Sequence, residues 1–426
     1  MRKKGNRWAR ADLAHGWHPF TDQELWERED PVVITRGEGC WLYDIEGQRY
    51  FDGNASIWTN IHGHGHPTIV TAIQEQAARL CHSSYLGLAN DRASELAERL
   101  CSFFPGSLER CFFSDDGSTA LEVALKMSLQ WRQQNGEEGR TGVLAFENAY
   151  HGDTLGASSV GGVSRFIKGY GESGLEVYRV GGMDDLAGLP EVVIEASSAV
   201  VIEPLVQGVN QMRLWPPGML SDLREWSSER GIHLILDEVM TGFGRTGRMF
   251  ACQHEGVVPD FLCLAKGLTG GTMPLAATLT TGEIYEGFKG EGRTFFYGHS
   301  YTGNALGCAA ALATLEVFEK ENTLAGVEEK GRFLEEAIRG LPGVQEVRRV
   351  GLILGIDIDG CGIEFCRCLR EHDILTRPIL NTIVLMPPLA VHEEELAMLA
   401  EAFRELCLNG EWESGSKGLQ RSVDGE

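Results

Sequence analysis

No stretch of the 426-residue chain approaches the roughly 18 uncharged apolar residues that a membrane-spanning helix needs, so a helical integral membrane protein is excluded. Basic residues are few beside acidic ones: 38 Lys and Arg stand against 61 Asp and Glu, a formal balance of −23. Such a chain is repelled by phosphate backbones and anionic lipid, which argues against a nucleic-acid or membrane-surface role. The one basic stretch, Met1 to Arg10, is followed by no apolar signal core. It reads as a solvated tail on a soluble, unprocessed protein. No C-x-x-C pair occurs among the 11 cysteines, and several lie in apolar runs such as Leu262-Cys-Leu264. That pattern suggests reduced, buried thiols in a cytoplasmic protein in place of a disulfide framework or zinc site. Internal repeats and low-complexity segments are also missing. With 43% hydrophobic and 23% charged residues, the composition is that of a globular protein of two or three domains.

Glycine, by contrast, is plentiful at 53 residues, clustered between hydrophobic runs where turns need it. Short apolar runs alternate with helical patterns. Strands are predicted at Arg110–Ser114, Val143–Phe146, Ala199–Ile202, His233–Leu236 and Phe261–Leu264. Helices are predicted over Ser118–Trp131, with apolar spacing at Ala120, Val123, Ala124 and Met127, and over Pro217–Glu229. Apolar strands without alternation, separated by helices, imply a mostly parallel sheet covered on both faces, an α/β fold. We place this large domain at residues 56–318. Residues 30–52 read as a hairpin with Gly47 in its turn. A long helix is expected from about Glu316, then strands at Val344–Arg349, Leu352–Ile358 and Ile383–Leu385. Residues 11–55 and 319–408 are therefore assigned to a smaller α+β domain, with 1–10 and 409–426 as flexible tails.

Two strand ends carry the chemistry. Asp237 closes His-Leu-Ile-Leu-Asp, and Lys266 follows Phe-Leu-Cys-Leu-Ala. Ligands gather at the carboxyl ends of parallel strands, so both side chains can enter one crevice. A lysine in apolar surroundings has a lowered pKa and suits imine formation with an aldehyde. A buried carboxylate nearby would keep a pyridine nitrogen protonated, which pyridoxal 5′-phosphate (PLP) requires. Each residue alone has a plainer reading, Asp as a cap and Lys as a solvent-seeking side chain. Ser114-Asp-Asp-Gly-Ser118 opens a helix directly after a strand, a seat for phosphate or a simple N-cap. Tyr150 follows the next strand, where its ring could stack on a pyridine or edge the core.

Other patterns fail on context. Gly242-Phe-Gly-Arg-Thr-Gly247 satisfies G-x-G-x-x-G but does not emerge from a strand near the chain start, so a nicotinamide enzyme is rejected. His62, His64 and His66 have a spacing open to zinc, yet intervening glycines favour a turn and no fourth ligand is near, so no metal is expected. No G-x-S-x-G elbow supports Ser-His-Asp hydrolysis.

Asp237-Glu-Val, Gly242 to Gly247, Leu264-Ala-Lys-Gly-Leu-Thr-Gly-Gly271 and Gly298-His-Ser-Tyr-Thr-Gly-Asn304 together resemble the class III (ω-amino) aminotransferases of PLP fold type I, over nearly the whole chain. Further details are similar to the group that makes 7,8-diaminononanoate from 8-amino-7-oxononanoate in biotin synthesis. These are Trp17-His-Pro-Phe20, Ile61-His-Gly-His64, Tyr150-His-Gly-Asp-Thr154, Glu203-Pro-Leu-Val-Gln-Gly208, Met249-Phe-Ala-Cys252 and Thr376-Arg-Pro378. The resemblance implies PLP as cofactor and Lys266, Asp237 and Tyr150 as the catalytic set: cofactor lysine, pyridine-nitrogen partner and stacking ring. It implies Gly117 and Ser118 as the phosphate cradle, with His299 and Ser300 added by the other subunit of an obligatory homodimer. Arg377 matches the substrate-carboxylate anchor with Gly298 beside it, and Asp153 and Arg245 match positions that either back the pocket residues or line the substrate channel. Members that use S-adenosylmethionine carry Tyr in place of Phe20 and two adjacent Trp in place of Ile57-Trp58. The pattern here is closer to the branch that takes its amino group from lysine. Phe20, Ile57 and Trp58 are therefore candidate substrate contacts. The rival expectations are another ω-amino acid transaminase using pyruvate or 2-oxoglutarate, an aminomutase, and a PLP-binding subunit without activity.

Overall fold

The apolar runs form the central strands of a seven-stranded sheet in the computed structural model, which describes residues 6–28, 31–167, 174–410 and 412. In chain order these strands are β1 (Leu108–Ser114), β2 (Gly142–Phe146), β3 (Glu176–Val180), β4 (Ser197–Ile202), β5 (His233–Asp237), β6 (Phe261–Leu264) and β7 (Ala276–Thr281). Their spatial order is β1-β7-β6-β5-β4-β2-β3. Neighbours from β6 through β3 pair in parallel, and β7 alone runs antiparallel to both β6 and β1. Successive side chains serve opposite faces. Leu234, Leu236, Leu262 and Leu264 pack into one core, while Ile235, Phe261 and Cys263 pack into a second with Ala120, Leu121 and Ala124 of helix α1 (Gly117–Gln134). Both faces are thus covered, as parallel strands require.

β3 and β7 were not anticipated. Glu176 and Arg179 dilute the apolar pattern of β3, and threonines do so in β7 (Ala-Ala-Thr-Leu-Thr-Thr). The helix expected from Glu316 instead begins at Ala305, as α2 (Ala305–Lys320), and a separate helix follows at Val327–Ile338. Alanines through the first half of α2 blur its periodicity.

The chain ends share a sheet. Strands Ile34–Glu38, Trp41–Asp44 and Arg49–Asp52 form an antiparallel meander, with Gly47 in its turn at φ +85°, and Ile374–Leu375 adds in parallel to the last of them. A second four-stranded sheet contains Val344–Val350, Ile353–Ile358, Thr382–Leu385 and Pro378–Ile379. The expected tails need correction on both sides. Asn6 caps a helix over Arg7–His15 by accepting from Ala9 N at 2.7 Å, and Ala9 is buried. Asn409 ends the helix from Glu393, and Trp412 is 1% exposed with its ring edge-on to Phe365 at 5.4 Å. Residues 1–5 and 413–426 lie outside the described residues. No helix among the described residues is long and apolar enough to cross a membrane.

Candidate active site

At the carboxyl edge of the sheet, Asp237 is the last residue of β5 and registers opposite Cys263 of β6, three residues before Lys266. The chain reverses sharply after β6, with Lys266 held at φ +46°. Adjacent parallel strands therefore deliver the acid and the amine to one cavity of about 450 Å³, lined among others by Trp58, Gly117, Ser118, Tyr150, His151, Glu203, Val239 and Thr272.

Burial sets the charges here. Desolvation lowers the Lys266 pKa from 10.5 to about 8, against the opposing pull of Asp237 and Glu203. Its Nζ sits 4.6 Å from the centre of the Trp58 ring. Asp237 is tied at both oxygens: Oδ2 accepts from His151 Nδ1 at 2.7 Å, and Oδ1 accepts from Val239 N at 3.1 Å. Burial pulls the His151 pKa down, but the hydrogen bond and charge of Asp237 outweigh it and the pKa is raised. His151 thus leans toward imidazolium, a countercharge set against the Asp237 carboxylate. Glu203, directly after β4, has its pKa pushed up to about 7 by burial, while its oxygens accept from Tyr150 N at 3.2 Å and Gly208 N at 2.9 Å. Tyr150 donates its hydroxyl to Asp153 Oδ2 at 2.6 Å, and burial raises its pKa.

The amino end of α1 forms the far wall. Asp116 and Thr119 make a reciprocal capping box, at 2.9 and 3.1 Å, which starts the helix with Gly117. A Cβ at Gly117 would stand 2.6 Å from Val239 Cγ1, so only glycine lets the helix end approach the wall this closely. Asp153 N donates to Ser118 Oγ at 3.1 Å. Gly152, at φ +116°, would put a Cβ 2.0 Å from that same oxygen.

Lys266, Asp237, Tyr150, Gly117, Ser118 and Trp58 therefore converge on one cavity, with Asp153 at its exposed rim. Phe20, at φ +50° and 59% exposed, stands one ring further out, edge-on to Phe166 at 5.7 Å, and Phe166 is edge-on to Tyr150 at 5.4 Å. Ile57 is 45% exposed beside Trp58.

Of the two positions open to Arg245, the substrate channel is ruled out, and with it a direct substrate contact. Arg245 lines no part of the cavity but is 0% exposed, donating to Asn60 O and Pro387 O at 2.6 Å each and to Met386 O at 3.3 Å. A guanidinium used up on three buried carbonyls ties chain segments together and reaches no substrate. Gly298 and Ser300 are exposed and outside the cavity, while His299 pairs with Asp115 of its own chain at 3.2 Å. Arg377 is exposed between Ile374–Leu375 and Pro378–Ile379, without a hydrogen bond or ion pair among the described residues. The three alternating histidines go separate ways, His62 to Thr314 O, His64 to Asp52 and His66 to Glu321. Gly242 to Gly247 form turns that open no helix.

His151, Glu203 and Val239 were missed as single residues, although each lies inside a quoted motif. Glu203 carried a usable signal, since it follows an apolar strand just as Asp237 ends one. His151 carried none, because its partner is 86 residues away.

The residues present fit PLP. A buried amine poised near neutrality, a carboxylate paired with His151 and a glycine-edged helix end match the aldehyde, pyridine nitrogen and phosphate of that group. Comparison with known proteins agrees. The profile of the class-III aminotransferases matches residues 24–407. An adenosylmethionine-8-amino-7-oxononanoate aminotransferase of Nitratidesulfovibrio vulgaris is 44% identical over 433 aligned residues, covering 92% of this chain and 80% of that protein. The crystal structure of the enzyme with that name from Methanocaldococcus jannaschii superposes with a TM-score of 0.91 at 38% identity, covering 94% of this chain and 98% of that one. An amine transaminase from an uncultivated Pseudomonas species, solved in its PLP-bound form, gives 0.87 at 32% identity, covering 92% and 98%.

Proposed function

The chain belongs to the class-III aminotransferases and is a PLP-dependent transaminase, and from that premise we propose that it passes an amino group to 8-amino-7-oxononanoate, forming 7,8-diaminononanoate for biotin synthesis. What carries this reading is similarity along nearly the whole chain to relatives named for that reaction.

When bound, PLP supplies an aldehyde that takes up amines and a ring that draws electrons from the carbon losing a proton. The chain's own residues do the rest. Lys266, with a pKa of about 8, exchanges between ammonium and free amine near neutral pH. It would therefore be the residue that holds the aldehyde and that moves the proton at the reacting carbon. Asp237, oriented by its hydrogen bond to His151, would face the ring nitrogen and favour a proton there. Tyr150 would offer the stacking face, and Gly117 and Ser118, at the start of α1, would hold the phosphate with backbone N–H groups. Arg377, exposed and without an acid partner among the described residues, is free to clamp the distal carboxylate of the oxononanoate in bidentate fashion.

Both substrates share this pocket in turn, with Phe20, Ile57, Trp58 and Asp153 at its mouth. Phe20 lacks a hydroxyl and Ile57 lacks a flat ring, which favours lysine over S-adenosylmethionine as amino donor. We further read the working form as a cytoplasmic homodimer, in which His299 and Ser300 would add to the second subunit's phosphate site, and the 11 cysteines stay reduced.

The test is a spectral half-reaction on the PLP-loaded protein, mixed separately with lysine and with S-adenosylmethionine. Lysine alone should convert the cofactor's absorbance to that of pyridoxamine phosphate, and Lys266→Ala should abolish the change. Conversion by S-adenosylmethionine alone would reverse the donor assignment. Conversion by neither would favour the ω-amino acid transaminase reading, which the likeness to the amine transaminase supports.

A further inference from the structure

Four consecutive residues, Ala55, Ser56, Ile57 and Trp58, the last of which lines the pocket, hold φ angles of +43°, +49°, +62° and +68°. None is glycine. An L-residue loses roughly 1–2 kcal/mol in that region, and a β-branched one such as Ile57 is the least suited to it. One turn of left-handed helix survives only where its surroundings impose it.

Here the restraint is visible at both ends. The buried carboxylate of Asp52 accepts from Ser56 N at 2.9 Å through Oδ1 and from Ser56 Oγ at 2.8 Å through Oδ2. His64 Nε2 lies 2.9 Å from that second oxygen and fixes the carboxylate from behind. At the far end, Arg245 donates to Asn60 O and to the carbonyls of Met386 and Pro387, which anchors the exit of the turn to the C-terminal segment. Trp58 N to Asn54 O at 2.8 Å and Thr59 N to Ala55 O at 2.9 Å close the turn internally. The outcome is a Trp58 ring set against Lys266 and an Ile57 side chain turned outward. A right-handed turn would send both elsewhere.

We propose that Asp52 is a positioning residue of the active site: through Ser56 it holds the left-handed turn 55–58, and so places Trp58 against the amine of Lys266 and sets the mouth of the substrate pocket. Asp52 itself does not line the cavity. His64 and Arg245 acquire a role by the same argument, as supports of one wall. The proposal rests on reading Lys266 as the cofactor lysine.

Two variants of the PLP-loaded protein test it, Asp52→Asn and the milder Ser56→Ala, each alone and combined with Ala55→Gly. Glycine is at ease at positive φ, so Ala55→Gly lowers the cost of the turn without rebuilding the Asp52 contact. The first readout is the pH midpoint of the cofactor's absorbance band, which senses the surroundings of Lys266. It should move by about half a unit or more in the single variants. The second is the half-reaction of the pyridoxamine-phosphate form with 8-amino-7-oxononanoate. Its half-saturating concentration should rise about tenfold while the maximal rate stays within about threefold. Adding Ala55→Gly should bring both back toward wild type. An unmoved midpoint in folded variants, or a shift that glycine does not reverse, overturns the proposal. If Asp52→Asn does not fold, Ser56→Ala decides. If even the wild type ignores the oxononanoate, the substrate assignment fails while the midpoint still judges the turn.

Discussion

A lysine that must shed its charge to act is a burden on the fold that buries it. Lys266 has its pKa lowered from 10.5 to about 8 by burial. Between those values the unfolded chain keeps a proton that the folded chain has released, so this side chain's contribution to stability rises with pH across that window. At pH 7 it is protonated in both states and the folded protein carries the full cost, on the order of 3 kcal/mol at about 1.4 kcal/mol per pH unit. Lys266→Met should therefore make the cofactor-free protein more resistant to urea at pH 7, with the gap closing toward pH 10. Equal midpoints at both pH values would show that the lysine is not desolvated. At this scale the sequence was most readable where a polar residue interrupts an apolar run, as at Asp237 and Lys266. It was least readable where function depends on a long-range partner, as for His151, or where a residue type misleads, as for Arg245. The resemblance left Arg245 either behind the pocket or along the substrate channel, and only the fold reveals that backbone carbonyls consume it.

The elements matter through their ends. Residues at or just past the ends of β4, β5 and β6 bring Glu203, Asp237 and Lys266 to one edge, and α1 begins beside them with the only residue type that fits. Gly117→Val would drive a side chain into Val239, where even a Cβ would come within 2.6 Å of Cγ1. The helix end or the Val239 wall must then retreat, and PLP affinity should fall by about tenfold or more while the thermal unfolding midpoint drops only a few degrees. Unchanged affinity, measured by quenching of protein fluorescence on PLP addition, would remove the helix end from the cofactor site. Strands buried on both faces were legible because nothing polar interrupts them. β7 was not, since its threonines are also common in loops, and α2 was cut short because a run of alanines has no preferred face.

At the scale of the molecule, both chain ends were expected in one small domain, but no local pattern announces the strand pairing that joins them: Ile374 pairs with Phe51 across more than three hundred residues. Trp412 likewise escaped notice, a lone aromatic in polar sequence that the core nevertheless takes up. The second subunit is a prediction of the same scale. If Ser300 serves the partner's phosphate site, mixing Lys266→Ala chains with Ser300→Asp chains creates dimers with one doubly defective site and one intact site. Activity absent from either parent should then return. If Ser300 acts within its own chain, or not at all, mixing restores nothing. The central claim has a more direct test: PLP-loaded protein incubated with 8-amino-7-oxononanoate and lysine, or S-adenosylmethionine, and analysed by mass spectrometry. The account predicts 7,8-diaminononanoate with one of these donors, and none from Lys266→Ala. Failure to form it with either donor, while amino transfer to pyruvate or 2-oxoglutarate proceeds, would contradict the account.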